Sequence, residues 1–437
     1  MASHENHAIR DLDCDVIVIG GGPAGTTAAT LLARRGHAVQ LFEKARHPRF
    51  HIGESLLPMN LPILERLGVL GEVERIGVRK AAADFPADNE RGFNVFDFAH
   101  SLGFLPDHSY QVKREEFDAI LFASARRSGV LAHEDSEVCG AEFAPDGVAV
   151  SVRDAAGATR VVRARYLVDA SGRDTFLGSA LGLKQRHARH RSAAVFALFA
   201  GVERRAAPWA GNISIYRFQT GFQPGWIWLI PLNDDVASIG AVLQPGQLRQ
   251  RSGALEPFLM DILHSVPALK ARMGGARLLG NLEATGNYSY QCRELCGPRW
   301  IMAGDASAFV DPVFSSGVFL AMHGAERAAE VVDGVLRGAR ERPLQRAYVR
   351  EMRAGLRQFS WFIVRFTTPA LAWLFAHPRN VLRLQEATVS LLAGHVFGEH
   401  APRARLRVFK ILYYLVSLRL WRDTLKFRRE LRGIGAG

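Results

Sequence analysis

A chain of 437 residues, 48% of them hydrophobic, is long enough to bury a large core and to hold two domains or one large α/β domain with additions. A net charge of +12 favours anionic partners, but an enzyme holding a dinucleotide and small anions carries the same balance, so no nucleic-acid partner is expected. Four cysteines are too few for a disulfide framework, and Cys292 and Cys296 lack a second pair or a nearby His, so no metal is expected. A reducing, cytoplasmic setting fits this usage. Residues 1–14 read as a polar leader without the apolar core of a secretory signal, and no apolar stretch reaches transmembrane length.

The first organised stretch is Asp15-Val16-Ile17-Val18-Ile19, a short β-branched run that reads as a buried strand. Gly20-Gly21-Gly22-Pro23-Ala24-Gly25 follows, and Gly20, Gly22 and Gly25 fit G-x-G-x-x-G. The first glycine allows a tight turn, the second lets a pyrophosphate approach the backbone, and the third lets helix and strand pack closely. Thr26 to Arg35 reads as the helix whose N-terminus faces the phosphates, and Gly36 ends it. A second strand, His37 to Phe42, delivers Glu43, a carboxylate placed to accept ribose hydroxyls. An acid there suits FAD or NAD and not NADP. The glycine pattern alone is weak; strand, loop, helix, strand and acid in this order make a dinucleotide site.

Phe50 to Pro58 carries Gly53-Glu54-Ser55 and leads into an amphipathic helix from Asn60 to Leu67. Lys80 is the only lysine between Lys44 and Lys113. By position it is a solvated surface residue or, if buried, an amine whose pKa falls readily. Tyr110 to Arg126 begins as a strand and becomes a helix headed by Arg114, either a helix-end surface charge or a cofactor contact. Residues 131–169 read as a β-meander with turns at Pro145-Asp146-Gly147 and Ala155-Ala156-Gly157. Four strands are then expected at 193–202, 213–218, 226–232 and 237–242. In the third, Trp226-Ile227-Trp228-Leu229-Ile230-Pro231 puts two indoles on one face, because strand side chains alternate, and Pro231 stops the strand. Trp300 to Ala306 reads as a strand ending in Gly304-Asp305. Asp311-Pro312-Val313-Phe314-Ser315-Ser316-Gly317-Val318 then precedes a helix from Phe319 to about Leu336, a glycine-bearing helix start whose free N–H groups suit an anion. A second cofactor signature so late favours FAD over NAD. Beyond residue 337 the chain reads as helical. From Pro402 it carries ten Lys or Arg around an apolar core, Val408 to Leu420, against Asp423 and Glu430. That segment fits an amphipathic helix on an anionic membrane, a helix docked on an acidic partner, or one packed on the domain with a solvated basic face.

Four motifs, Gly20–Gly25, Gly53–Pro58, Trp226–Pro231 and Gly304–Val318, resemble those of the flavin-dependent halogenases, with the match running from about Asp15 to Leu336. The first motif and the general form of the last belong to the whole FAD monooxygenase superfamily; Trp-x-Trp-x-Ile-Pro and Asp-Pro-Val-Phe-Ser-Ser-Gly-Val are more specific. The resemblance implies an α/β protein. Its Rossmann-like FAD-binding domain, similar to that of p-hydroxybenzoate hydroxylase, takes residues 15–190 and 291–345. A substrate-facing antiparallel sheet domain takes 191–290, and a helical C-terminal region 346–437.

Cofactor contacts are expected at Gly20, Gly22, Ala24, Gly25, Glu43, Lys44, Ser55, Arg114, Gly304, Asp305, Pro312 and Val318. The resemblance further implies that reduced FAD and O2 convert chloride or bromide, held at Ser316 and Gly317, into hypohalous acid. Lys80 would be the catalytic residue, directing the halogen to an electron-rich aromatic carbon. Trp226 and Trp228 would partition substrate from flavin. In tryptophan halogenases a glutamate stands where this chain has Phe314, so the resemblance points to the phenol, pyrrole or indole branch. Ala82 stands where the family has a glycine two residues after the lysine. No second dinucleotide loop occurs, so FADH2 is expected from a separate NADH-dependent flavin reductase, and the small aromatic substrate is free or carrier-bound. Two other activities fit the same scaffold: a flavin monooxygenase or epoxidase on a hydrophobic substrate, and a prenyl-lipid reductase.

Overall fold

The computed structural model describes residues 12–87, 92–186, 192–220, 223–233, 235–249, 251, 253–286, 289–398 and 400–433. Residues 1–11 of the expected leader lie outside them. The short strand Cys14–Ile19 is fully enclosed in an eight-stranded sheet. It pairs in parallel with Val39–Phe42 on one side and Thr159–Asp169 on the other, and Trp300–Met302 pairs in parallel with the latter. Parallel strands covered on both faces need continuous apolar runs, and Val16 to Ile19 is such a run. Its helix starts at Pro23 and ends at Arg34, three residues earlier at its start than Thr26, because proline suits the first helical turn. The meander expected at 131–169 is realised by Glu137–Ala144, Gly147–Arg153 and Thr159–Asp169. Leu131–His133 departs from it and joins Val39–Phe42 in parallel instead.

A second sheet has seven strands. The four strands expected between 193 and 242 are all present, as Ala193–Ala200, Ile213–Thr220, Gln223–Pro231 and Val236–Leu243. Arg277–Gly286 extends one edge. The other edge draws on a distant part of the chain: Ala82–Pro86 pairs in parallel with the start of Ile213–Thr220, and Phe93–Asp97 follows by hairpin. The sheet therefore takes two strands from outside residues 191–290, and Lys80 sits two residues before the first of them.

Alternation gives this sheet two distinct faces. Ile227, Leu229, Tyr216 and Ile239 point toward the helix Leu255–His264 and pack on Leu259, Ile262 and Leu263. Ile215, Trp226, Trp228 and Ile230 point the other way, into the largest apolar cluster. That cluster is completed by Leu56, Leu57 and the C-terminal residues Phe362, Phe366 and Phe375. The late helix is Ser316–Leu336, beginning three residues before the expected Phe319 and packed along Pro23–Arg34. Charged helical sequence after residue 337 forms Glu341–Ile363, followed by Pro369–Ala376, Leu384–Leu392, Arg403–Arg419 and Trp421–Gly433. No helix among the described residues is long and apolar enough to cross a membrane.

Candidate active site

The C-terminal ends of the parallel strands and the inner face of the second sheet enclose a cavity of about 840 Å³. The glycine loop forms one end. Gly20 has φ +98°, and a Cβ there would lie 2.4 Å from the Ala170 carbonyl oxygen; a Cβ on Gly25 would lie 1.8 Å from the Gly20 carbonyl oxygen. Both positions admit only glycine, and they bring helix, turn and strand into contact. Gly22 differs: a Cβ there would meet only Arg49 Nη2 at 3.6 Å, and the residue faces the cavity with Gly20 and Ala24. The loop therefore leaves an open cradle at a helix N-terminus, which fits the pyrophosphate of a dinucleotide.

Glu43 lines the cavity, and its carboxylate accepts from Gly21 N at 2.6 Å, Ala45 N at 3.0 Å and Arg49 Nη2 at 3.2 Å. These bonds aim it while leaving it beside the space where a ribose would sit. Lys44 also lines the cavity and pairs with Asp174 at an exposed position. Deeper in, Arg114 is buried. Its guanidinium makes two bonds to Asp118, at 2.8 and 2.9 Å, and donates to the Ile52 carbonyl at 2.7 Å. Asp305 lines the opposite wall, where burial pushes its carboxyl up to about 6 against the pull of Arg114 and Arg173. Pro312, Gly317 and Val318 complete that side. Gly304 and Gly25 stand behind the wall as close-packing positions; a Cβ on Gly304 would sit 3.1 Å from those of Ala24 and Ala321.

The late helix begins abruptly. Asp311 caps the turn Pro312–Phe314 by accepting from Val313 N at 3.3 Å, and Ser315 takes φ 56°. Ser316 and Gly317 then offer the first helical N–H groups. A Cβ on Gly317 would meet nothing within 4 Å, so the backbone there is open to the cavity. The Ser316 hydroxyl is buried without a hydrogen-bond partner, an arrangement that costs about 1–3 kcal/mol if nothing answers it. An orphaned hydroxyl beside free amides at a helix start has the chemistry of a small-anion site.

Lys80 does not line the cavity. It is fully buried, and its Nζ donates to Ser55 Oγ at 2.9 Å and to the Leu56 carbonyl at 3.0 Å, with the Phe98 ring centroid 5.4 Å away. Ser55 does line the cavity and stands between the amine and that space. Among the described residues no carboxylate pairs with Lys80, and burial pulls its pKa down to about 7. The surface alternative for this lysine is thereby removed.

Trp226 and Trp228 both line the cavity, on one face of their strand, with ring centroids 5.8 Å apart. Trp228 Nε1 donates to Ser238 Oγ at 3.2 Å. Behind Trp226 stands Phe366, edge-on at 6.5 Å, and Phe314 packs on Phe366 at 5.7 Å. Phe314 is thus part of an aromatic cluster that also holds Phe85 and Phe375.

Some site residues had escaped sequence reasoning. Asp118, four residues after Arg114 on a helix, was legible as an i, i+4 partner. Arg49, which bridges Glu43 and Asp118, carried no such signal. Glu54, a buried cavity-lining carboxyl pushed upward by burial, was hidden within the Gly-Glu-Ser motif.

Comparison with known proteins bears on the family and the fold. Residues 13–365 match the family described as FAD binding domain. A 1H-pyrrole-2-carbonyl-[peptidyl-carrier protein] brominase of Pseudoalteromonas luteoviolacea is 30% identical over 413 residues, covering 89% of this chain and 94% of that protein. The chain belongs to the flavin-dependent halogenases. This halogenase is also 36% identical over 337 residues to a tryptophan 2-halogenase of Chondromyces crocatus, covering 74% of the chain and 62% of that protein. The solved structure of the myxobacterial chondrochloren halogenase CndH superposes with a TM-score of 0.77 at 31% identity, over 93% of this halogenase and 97% of CndH. The halogenase is accordingly an FAD-binding oxidoreductase.

Proposed function

We propose that this halogenase places chlorine or bromine on an electron-rich aromatic ring of phenol, pyrrole or indole type, with Lys80 as the residue that directs the halogen. The observation that carries the reading is a buried lysine without a counter-charge, held 2.9 Å from a serine of the cavity wall. Bound FAD, reduced by a separate NADH-dependent flavin reductase, supplies the electrons that activate O2 to oxidise halide to hypohalous acid. Gly20, Gly22 and Ala24 would cradle its pyrophosphate, with Gly25 packing the helix against the turn behind them; Glu43 would take the ribose; and Lys44, Ser55, Arg114, Asp305, Pro312 and Val318, backed by Gly304, would frame the rest. Ser316 and Gly317 hold chloride or bromide.

Burial pulls the pKa of Lys80 down to about 7, which makes the free amine available near neutral pH. Its lone pair either hydrogen-bonds hypohalous acid or takes its halogen: an N–X bond forms, the X–O bond breaks, and the amine proton leaves with hydroxide as water. The ring carbon then takes the halogen, the N–X pair returns to nitrogen, which takes a proton from solvent to restore the amine, and the ring proton goes to solvent or a weak base. Trp226 and Trp228 keep the ring away from the flavin, so that halogen and not oxygen is transferred. Phe314, in an apolar aromatic cluster, offers no base, which suits a ring activated by its own hydroxyl or nitrogen. The pyrrole-carrier brominase supports testing carrier-held pyrroles alongside free phenols and indoles.

The test combines the enzyme with FAD, NADH, a flavin reductase and bromide or chloride, and reads a panel of such aromatics by mass spectrometry. Monohalogenated product is expected. Hydroxylated product alone, under saturating bromide, overturns the reading.

A further inference from the structure

The helix pair at the end of the chain carries a feature that halogenation does not use. Arg403–Arg419 is apolar on two sides. Its inner side buries Leu406, Phe409, Tyr413 and Val416, with Phe409 on Phe362 at 5.3 Å and Tyr413 on Trp361 at 5.1 Å. Its outer side presents Val408, Ile411, Leu415 and Leu418, spaced i, i+3, i+7 and i+10, as one stripe facing outward. Ile411 is 60% exposed, Leu415 59% and Leu418 71%. Tyr414 broadens the stripe, and Trp421 and Leu425 continue it onto the next helix. Lone exposed apolar residues are ordinary; a run of them along two consecutive helices marks an interaction surface.

The charges beside the stripe say what kind of surface meets it. Arg403, Arg405, Arg407, Arg419, Arg422 and Lys426 are all exposed, while Asp423 is the single acid between residues 403 and 427. Lys410 is turned inward, donating to Gln358 Oε1 at 3.0 Å. A second copy of this chain would bring the same positive charges against these, and like charges in an interface are costly. The partner is therefore anionic. It must also accept an outward ridge of aliphatic residues with cations on its shoulders. A lipid surface does both: the ridge enters the headgroup–acyl boundary, the flexible arginine stems let guanidinium groups reach phosphates beside it, and Tyr414 and Trp421 suit the interfacial level. The helices lie on such a surface and do not cross it.

We propose that this helix pair, Arg403–Arg419 with Trp421–Gly433, is a docking face for an anionic membrane surface. The face lies outside the active site, and its role stands or falls apart from the halogenation reading. Of the three sequence-level readings of this segment, the packed helix with a merely solvated basic face does not describe the outer side, which is apolar as well as basic.

The experiment sediments the full FAD-loaded chain with vesicles of equal parts phosphatidylglycerol and phosphatidylcholine, and with vesicles of phosphatidylcholine alone. Binding is expected to the first only, and to weaken as salt rises. Leu415→Glu with Leu418→Glu should lower vesicle affinity by about tenfold or more. Arg405→Gln with Arg407→Gln should lower it less and flatten its salt dependence. Both double variants alter exposed side chains, so each should keep the melting temperature of the parent and its activity on a free aromatic in solution. No binding to the anionic vesicles overturns the proposal, as does binding untouched by both variants. So do a dimer in solution that Leu418→Glu dissociates, and capture by a soluble acidic protein in place of vesicles.

Discussion

Two buried cations stand near the cavity, Arg114 lining it and Lys80 behind Ser55, and their surroundings differ in one respect. Arg114 faces Asp118 through two charge-assisted bonds and borders Asp305. Lys80 has a hydroxyl and a carbonyl for company. A guanidinium paired bidentately stays charged and rigid, which suits an anchor beside a cofactor carrying phosphates. An amine without a counter-charge surrenders its proton under burial, which suits a group that must offer a lone pair. On the proposed reading, the chain draws two opposite uses from two cations by supplying a carboxylate to one and withholding it from the other.

The sharpest way to break this contrast is at Lys80. Lys80→Met should lower halogenation by about a thousandfold, while reduced flavin continues to be oxidised by oxygen, read as NADH-driven oxygen uptake. Lys80→Arg should fare no better, because a guanidinium keeps its proton. In the parent enzyme halogenation should rise through a limb centred about pH 7 and fall below it, as the amine takes up a proton. The same shift predicts a stability trend. The folded pKa lies below the unfolded one, so the unfolded state binds more protons between about pH 7 and the ordinary lysine range. Stability should increase across that window and lose this increment toward neutral pH. Lys80→Met should remove the trend, measured by denaturant unfolding.

Asp118→Ala attacks the other member. It leaves Arg114 buried and unpaired and should cost about 3 kcal/mol of stability, with weaker FAD retention seen by titration. Turnover per bound flavin should be nearly unchanged. Ser316→Val tests the orphaned hydroxyl and should raise the halide concentration for half-maximal rate about tenfold, roughly 1.4 kcal/mol. An unchanged halide dependence would place the anion elsewhere. Trp228→Phe removes the bond to Ser238 and should cost only about 1 kcal/mol, while the wall stays closed and product remains halogenated.

Much of the fold was readable because its signals are local. The glycine loop, the strands beside it and the alternating strands near Trp226 follow from steric and periodic rules that act within a few residues. The outcome at Leu131–His133 was not readable, since the choice between meander and parallel edge is made by Val39–Phe42, far away in the chain. Nor was the contribution of Ala82–Pro86 to the second sheet, which pairs with a strand about 130 residues later. The partner of Lys80 was equally distant: nothing near residue 80 announces that Ser55 will receive its Nζ.

Local sequence was enough for the glycine loop with its flanking strands and helix, for Trp226 and Trp228 on one strand face, and for a late helix after Asp311, whose start it set three residues late. Each depends on backbone geometry or side-chain alternation along contiguous residues. Tertiary structure alone decided that Lys80 is dry and unpaired, that Arg114 is paired, and that the C-terminal helix turns an apolar stripe outward. Protonation and exposure depend on what surrounds a group in space, and those neighbours come from segments that meet only when the chain folds.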